Sequence, residues 1–328
     1  MNRLSSLFLA GFLLFVAGCG SEPQKGKEQP KAPAALKSAP TFVADSAYQY
    51  IKEQVDFGPR VPNSAAHRQA AVYLQQKLEQ FGATVVTQQF DAQAYDGTTL
   101  GLTNIIASFG PEQSKRVLLT AHWDSRHIAD KDSTNRQEPI DGANDGASGV
   151  GVLLEVARAI GSASQPLNVG VDIILFDGED YGRPHDQPVY DGKSWYCLGS
   201  THWANTPHKT NYQAYYGILL DMVGARNATF LLEGASKRFA PSVQKKVWGI
   251  ANRLGHSRFF KYQDGPEIYD DHVPVNQIAR IPMIDIIDLR SETTFFPQHH
   301  THDDTMEQID PVTLQAVGQT GIQVLYEE

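Results

Sequence analysis

The sequence predicts an α/β fold, a single-domain α/β/α sandwich around a mostly parallel central mixed sheet. Three observations predict it. Short apolar runs alternate with stretches of helical spacing along most of the chain. Residues 173–176, 218–220 and 283–287 are almost continuously apolar, as strands buried on both faces are. Apolar runs end repeatedly in acidic or imidazole groups, at His122, Asp145, Glu179-Asp180, Asp221, Asp270 and His300. Ligands of such sheets bind in the crevice beyond the C-terminal strand ends, which is where these groups fall.

Taken in order, Asn63 or Ser64 caps a helix that places Leu74, Leu78 and Phe81 on one face, and Gly82 ends it. Residues 84–90, 104–109 and 117–121 are short and rich in β-formers. Residues 149–160 are apolar at helical spacing, and the buried strands 173–176, 218–220 and 283–287 follow. Pro311 opens a last helix in which Leu314, Val317, Ile322 and Leu325 turn to the core. No second linker, repeat or low-complexity tract interrupts residues 42–328, so they form one domain.

The start of the chain has another character. Arg3, an apolar stretch from Leu7 to Val16 and small residues before Cys19 resemble a bacterial lipoprotein signal over residues 1–18. Cleavage before Cys19 and acylation of its thiol are expected; a plain secretory signal is the alternative. Residues 19–41, rich in Lys, Gln, Pro, Ala and Ser, read as a flexible tether. No later run is long enough to span a bilayer. The expected location is the cell envelope, facing the periplasm or the surface, with membrane contact through the lipid alone.

Composition narrows the function. A net charge of −9 with no basic patch excludes nucleic acid as a partner. With Cys19 acylated, Cys197 is the only free thiol, so no internal disulfide forms. Cys197 reads as a small buried hydrophobe rather than a nucleophile.

The acidic and imidazole groups remain. His122 ends an apolar run with Asp124 two positions on, a carboxylate suited to orienting the imidazole. Asp145 lies in a Gly-rich turn ahead of a helix, where it either binds a ligand or caps. Ser148 forms no nucleophile elbow, because Val150 stands where the second glycine belongs. Glu179 and Asp180 are adjacent carboxylates that repel each other unless a cation or a shared proton intervenes. Asp221 ends a buried run and needs a partner. Of His299, His300 and His302, spacing alone selects none. Together these residues supply Asp, Glu and His donors without cysteine, a set suited to a catalytic zinc with an open position.

The order of these motifs resembles the α/β zinc aminopeptidase superfamily, from about Tyr48 to the C-terminus, beginning with Phe57-Gly58-Pro59-Arg60-Val61-Pro62. Within it the chain is similar to the animal-type (type II) glutaminyl cyclases in their bacterial lipoprotein form. Glu179-Asp180-Tyr181-Gly182, Asp270-Asp271-His272-Val273-Pro274 and Ile281-Pro282-Met283-Ile284-Asp285 carry that similarity, and aminopeptidases commonly have Ser in the place of Asp270. The resemblance implies Asp145, Asp180 and His300 as zinc ligands. His300 is chosen over His302 by the family pattern of His-Thr, two residues, then Asp. It implies Glu179 as general acid/base, Asp270 and Asp221 as catalytic support, and Trp195 and Asp285 at the substrate. His122, with Asp124, falls at a second metal or around the first. One departure is His299, where cyclases usually carry Trp.

The implied activity is glutaminyl-peptide cyclotransfer: N-terminal Gln of peptides or proteins becomes pyroglutamate and ammonia leaves. One zinc ion is expected. The alternative is a zinc metalloaminopeptidase with a dinuclear site, in which Asp145 bridges two zincs and a water is activated.

Overall fold

The computed structural model describes residues 35–187, 192–291 and 294–328, together with Gly11. By packing, the chain divides into Met1–Ala35 and Leu36–Glu328. The described elements all belong to the second unit. The expected signal segment 1–18, Gly11 apart, and Cys19 lie outside the described residues. So does the tether up to residue 34.

The stretch expected to end the tether is already held by the fold. Gln323 Nε2 donates to the carbonyl of Lys37 at 2.9 Å, and Gln319 bonds both Pro40 and Phe42. Helices α1 (Ala44–Val55) and α2 (Ala65–Gln80) follow. Ser64, not Asn63, caps α2 by accepting the His67 N–H at 3.0 Å. Strands β1 (Thr84–Gln93) and β2 (Thr99–Phe109) form an antiparallel hairpin. Next come β3 (Arg116–His122), α3 (Ala147–Gly161), β4 (Gly170–Phe176), α4 (Leu198–Asn205) and β5 (Tyr216–Asp221). The chain then passes through β6 (Phe230–Leu232), α5 (Gly234–Phe239), α6 (Pro241–Arg253) and β7 (Phe260–Asp264). It finishes with the short α7 (His272–Pro274), β8 (Met283–Ile287), β9 (Leu289–Ser291), β10 (Thr294–Phe295) and α8 (Pro311–Tyr326).

Six strands form the central sheet in the order β1-β2-β4-β3-β5-β8. The neighbours β4, β3, β5 and β8 run parallel, while β1 and β2 add an antiparallel edge. The parallel strands are buried on both sides, and their alternation sorts side chains into two cores. Val117, Leu119, Ile173 and Ile218 join the larger core with helices α1, α2, α3, α6 and α8. Leu118, Ile174, Leu219 and Met283 join the smaller one beneath Trp203 of α4. Each fully buried aliphatic side chain of this kind stabilises the fold by about 1.5–3 kcal/mol.

One polar residue interrupts the run in β4, and it is satisfied. Asp172 accepts from Arg116, from Tyr212 Oη at 2.7 Å and from Ser108 Oγ at 2.6 Å.

From β3 the chain crosses to β4 on one side, and later to β5 on the other. The crevice at that reversal opens between the ends of β3 and β5. Those strands end in His122 and Asp221.

Candidate metal centre

His122 Nε2 lies 3.1 Å from Asp145 Oδ1 and 3.2 Å from Asp221 Oδ1, so one imidazole spans the reversal point. Gly146 lets it do so, since a Cβ there would fall 2.5 Å from the ring. Gly149 allows α3 to lie against β5, where a Cβ would come within 2.2 Å of the Leu220 carbonyl. These two close approaches place Asp145 over the strand ends.

Asp145 is further held by a residue outside the expected set. Asp304 accepts the backbone N–H of Asn144 at 2.8 Å and of Asp145 at 3.0 Å. Across the crevice, Asp124 does the same for the paired acids. Its Oδ1 accepts the Glu179 N–H at 3.1 Å and its Oδ2 the Asp180 N–H at 3.0 Å. The Glu179 carbonyl accepts the Cys197 N–H at 3.0 Å, which pins the same turn from its other side.

Asp124 faces the imidazole as well, 3.5 Å from His122 Nδ1, so one carboxylate serves both the histidine and the backbone of residues 179 and 180.

His300 completes the group. Its Nε2 is 3.2 Å from Asp180 Oδ1 and 3.7 Å from Asp145 Oδ2, and its Nδ1 faces Asp130 Oδ1 at 3.4 Å. A metal-binding histidine is oriented by such a carboxylate behind its other nitrogen. His302 turns away, with Nε2 against the Asn135 carbonyl. His299 reaches the pocket instead of the usual Trp. Lys131 Nζ donates to its Nδ1 at 2.6 Å, and its Nε2 lies 3.6 Å from Asp145 Oδ2.

The donor set fits a cation. Asp145 Oδ2 and Asp180 Oδ2 are buried and have no hydrogen-bond partner among the described residues. A buried carboxylate oxygen left so is costly unless a cation lies against it. Asp145, Asp180 and His300 converge as two carboxylates and one imidazole, the ligand classes of a catalytic zinc. A second group, His122, Asp145 and Asp221, shares Asp145 with the first.

The charges behind the site follow the same logic. Burial would raise the Asp180 carboxyl, but the His300 and Arg126 charges outweigh it and hold it down to about 2. Arg126 donates to both Asp180 Oδ1 and the Asp180 carbonyl at 3.0 Å, and to Asp130. Burial would lower the His122 imidazole, yet the carboxylates of Asp124, Asp145 and Asp221 lift it well above its ordinary value. Asp221 is pushed up to about 7, mainly by burial.

Glu179 is only half-buried at the pocket surface, and burial, helped by the charges of Asp270 and Asp180, pushes its carboxyl well up. Cys197 is fully buried as expected, and its Sγ lies 3.4 Å from Glu179 Oε1. Burial raises that thiol well above its usual range.

Glu179, Asp180, Asp145, Asp221, Asp270 and Trp195 all line one pocket of about 870 Å³. Asp285 does not. It is fully buried, 4.0 Å from His272 Nδ1, with one oxygen within 4.8 Å of one of Asp270. Its expected place at the substrate is corrected accordingly, because it can act only through its neighbour Asp270.

Arg126 and Asp130, a buried pair spaced i, i+4, were missed by reading the sequence; Asp304 is the Asp that closes the His-Thr pattern, but its place behind Asp145 was not read from it.

An α/β sheet with carboxylate and imidazole donors at its switch point defines a class of metal-dependent enzymes. Residues 104–325 match Peptidase family M28, and the chain belongs to that family. It is 51% identical to a glutaminyl cyclase of Bacteroides thetaiotaomicron whose crystal structure holds N-acetylhistamine. The TM-score is 0.85, over 89% of this chain and 100% of that one. A leucine aminopeptidase precursor from the same species is 50% identical, with a TM-score of 0.84 over 90% and 100%. The glutaminyl-peptide cyclotransferase of Bos taurus is 27% identical over 290 residues, 78% of this chain and 74% of that one.

Proposed function

We propose that this protein is a zinc-dependent glutaminyl-peptide cyclotransferase, converting N-terminal glutamine of peptides or proteins to pyroglutamate with release of ammonia. The observation that carries it is the position of Asp270. One oxygen of Asp270, one of Glu179 and Cys197 Sγ lie within 4.8 Å of one another, and Asp270 Oδ2 is buried without a hydrogen-bond partner among the described residues. A second carboxyl beside the proton carrier suits a leaving amide nitrogen. The similarity to glutaminyl cyclases supports the same reading.

Asp145, Asp180 and His300 would hold the zinc, which supplies Lewis acidity to the side-chain amide carbonyl. The substrate's α-amine attacks the amide carbon. Glu179 takes a proton from that amine and gives one to the departing nitrogen. The new N–C bond replaces the old one, and the leaving group departs as ammonia. The raised carboxyl of Glu179 suits this transfer, because a carboxylate pushed up by burial takes a proton more readily than an ordinary glutamate. Asp270 holds the leaving nitrogen, and Trp195 forms a wall beside it. Asp221 holds the His122 imidazole near Asp145.

The test is to incubate the purified protein with a Gln-initiated peptide and follow its mass. Loss of ammonia supports the proposal, and loss of a whole residue refutes it in favour of a peptidase. That second reading is favoured by one observation, the His122-Asp145-Asp221 group that shares Asp145 and could hold a second zinc. Metal content separates the two, with one tightly held zinc expected here.

The start of the chain supports a lipid anchor on Cys19 and a place in the cell envelope. No described helix is long and apolar enough to cross a membrane. Mass spectrometry of the mature N-terminus tests this.

A further inference from the structure

The backbone of Glu179 is held by Asp124 and by the N–H of Cys197, but neither bond fixes its side chain. A proton carrier must present an oxygen within hydrogen-bond reach of the atom that it serves. Among the described residues one hydrogen bond is made to this carboxylate: Cys197 Sγ donates to Glu179 Oε1 at 3.4 Å.

The conformation of Cys197 favours that contact. It stands at the N-terminus of α4 with φ of 58°, in the left-handed region that few residues other than glycine enter. A residue persists there only where its surroundings over-determine it. Here its N–H donates to the Glu179 carbonyl at 3.0 Å, and its own carbonyl accepts from Thr201 N at 3.0 Å and Ser200 Oγ at 3.2 Å. A side chain at this position commonly caps the helix, but that of Cys197 makes no such bond. It turns back to Glu179 instead. The thiol is fully buried, and burial together with the charge of Glu179 raises it well above its usual range. It therefore keeps the proton that it donates.

Asp270 marks the other side of the contact. It is 4% exposed, its Oδ2 has no hydrogen-bond partner among the described residues, and one of its oxygens lies within 4.8 Å of both Cys197 Sγ and an oxygen of Glu179. Glu179 and Asp270 line the pocket and Cys197 does not. The thiol thus stands behind the two carboxyls, and they face whatever enters.

We propose that Cys197 is a positioning residue, whose S–H holds Glu179 Oε1 so that Oε2 is left to serve the substrate nitrogen beside Asp270. This rests on the cyclotransferase reading. The thiol gives no proton to the reaction and touches no substrate; it acts through Glu179 alone.

The experiment measures kcat and KM for ammonia release from a Gln-initiated peptide, with zinc content, for the full protein and its variants. Cys197→Ala should lower kcat about three- to tenfold, the net worth of one hydrogen bond, with KM and zinc content unchanged. Cys197→Ser keeps a donor on the same Cβ and should recover most of that loss. In a Glu179→Gln background, Cys197→Ala should cost nothing further, since the group it positions no longer moves protons. A merely structural cysteine would lower both backgrounds alike. Unchanged kcat in Cys197→Ala overturns the inference, as does a serine variant no better than the alanine one, or an equal loss in the Glu179→Gln background. No ammonia from the unaltered protein would instead bring down the cyclotransferase reading, and this inference with it.

Discussion

Asp124 Oδ2 accepts the backbone N–H of Asp180 at 3.0 Å while its Oδ1 accepts that of Glu179, so one buried carboxylate aims both members of the acidic pair. Neither acid is placed by its own side chain alone. Asp124→Asn would set an amide NH2 against one of those N–H groups and release the turn. Zinc affinity should fall about 10–100-fold, as for other residues that orient metal ligands. Chelator competition measures it, and unchanged affinity would show that the turn holds itself.

Glu179→Gln keeps the size of the side chain and removes its proton chemistry. Ammonia release should drop by about 10²–10⁴ in kcat with zinc content unchanged. The pH profile of the unaltered protein carries a second reading. Because the base must be deprotonated and its carboxyl is pushed up, kcat/KM should rise with pH through a value above the usual glutamate pKa of about 4.3. An acid limb at the ordinary value would remove Glu179 from the role.

Removing the metal should abolish activity and lower thermal stability together. Without it the open oxygens of Asp145 and Asp180 stay buried with no hydrogen-bond partner among the described residues. Zinc at about 100 times its Kd adds about 2.7 kcal/mol to the folded state. A chelated sample whose melting temperature does not respond to added zinc would contradict the ligand set.

Glu233 gives a test away from the metal. It accepts the N–H groups of Ala235, Ser236 and Ile268 at 2.6–2.8 Å and lies 3.3 Å from His272 Nε2. Burial opposes its ionisation, but His272 and these bonds hold its carboxyl down to about 2. A depressed carboxyl contributes stability that is present above its unfolded value and lost as pH falls through the folded one. The loss should run from about pH 4.5 to about pH 2, and amount to about 3 kcal/mol. Glu233→Gln should remove a similar amount at neutral pH in urea unfolding and flatten that acid window.

By itself, the sequence determined the buried strands, the acidic and imidazole groups at their exits, and the family resemblance. These rest on local pattern: continuous apolar runs, helical spacing and residue order. Helix α2 was legible because Ser64 and Gly82 punctuate it. Helices α1 and α4 have no side-chain cap and α5 is six residues long, so they left no comparable mark. Helix α6 did carry a signal, Pro241 at its first turn ahead of Val243 and Val247.

Only the tertiary structure decided how the acidic pair is aimed. It set Asp304 behind Asp145 across 159 positions, gave Asp124 the turn as well as the imidazole, and kept Asp285 out of the pocket lining. Such bonds join backbone to side chain between distant segments. Their partners are chosen by strand order and by close glycine contacts, which no local pattern encodes.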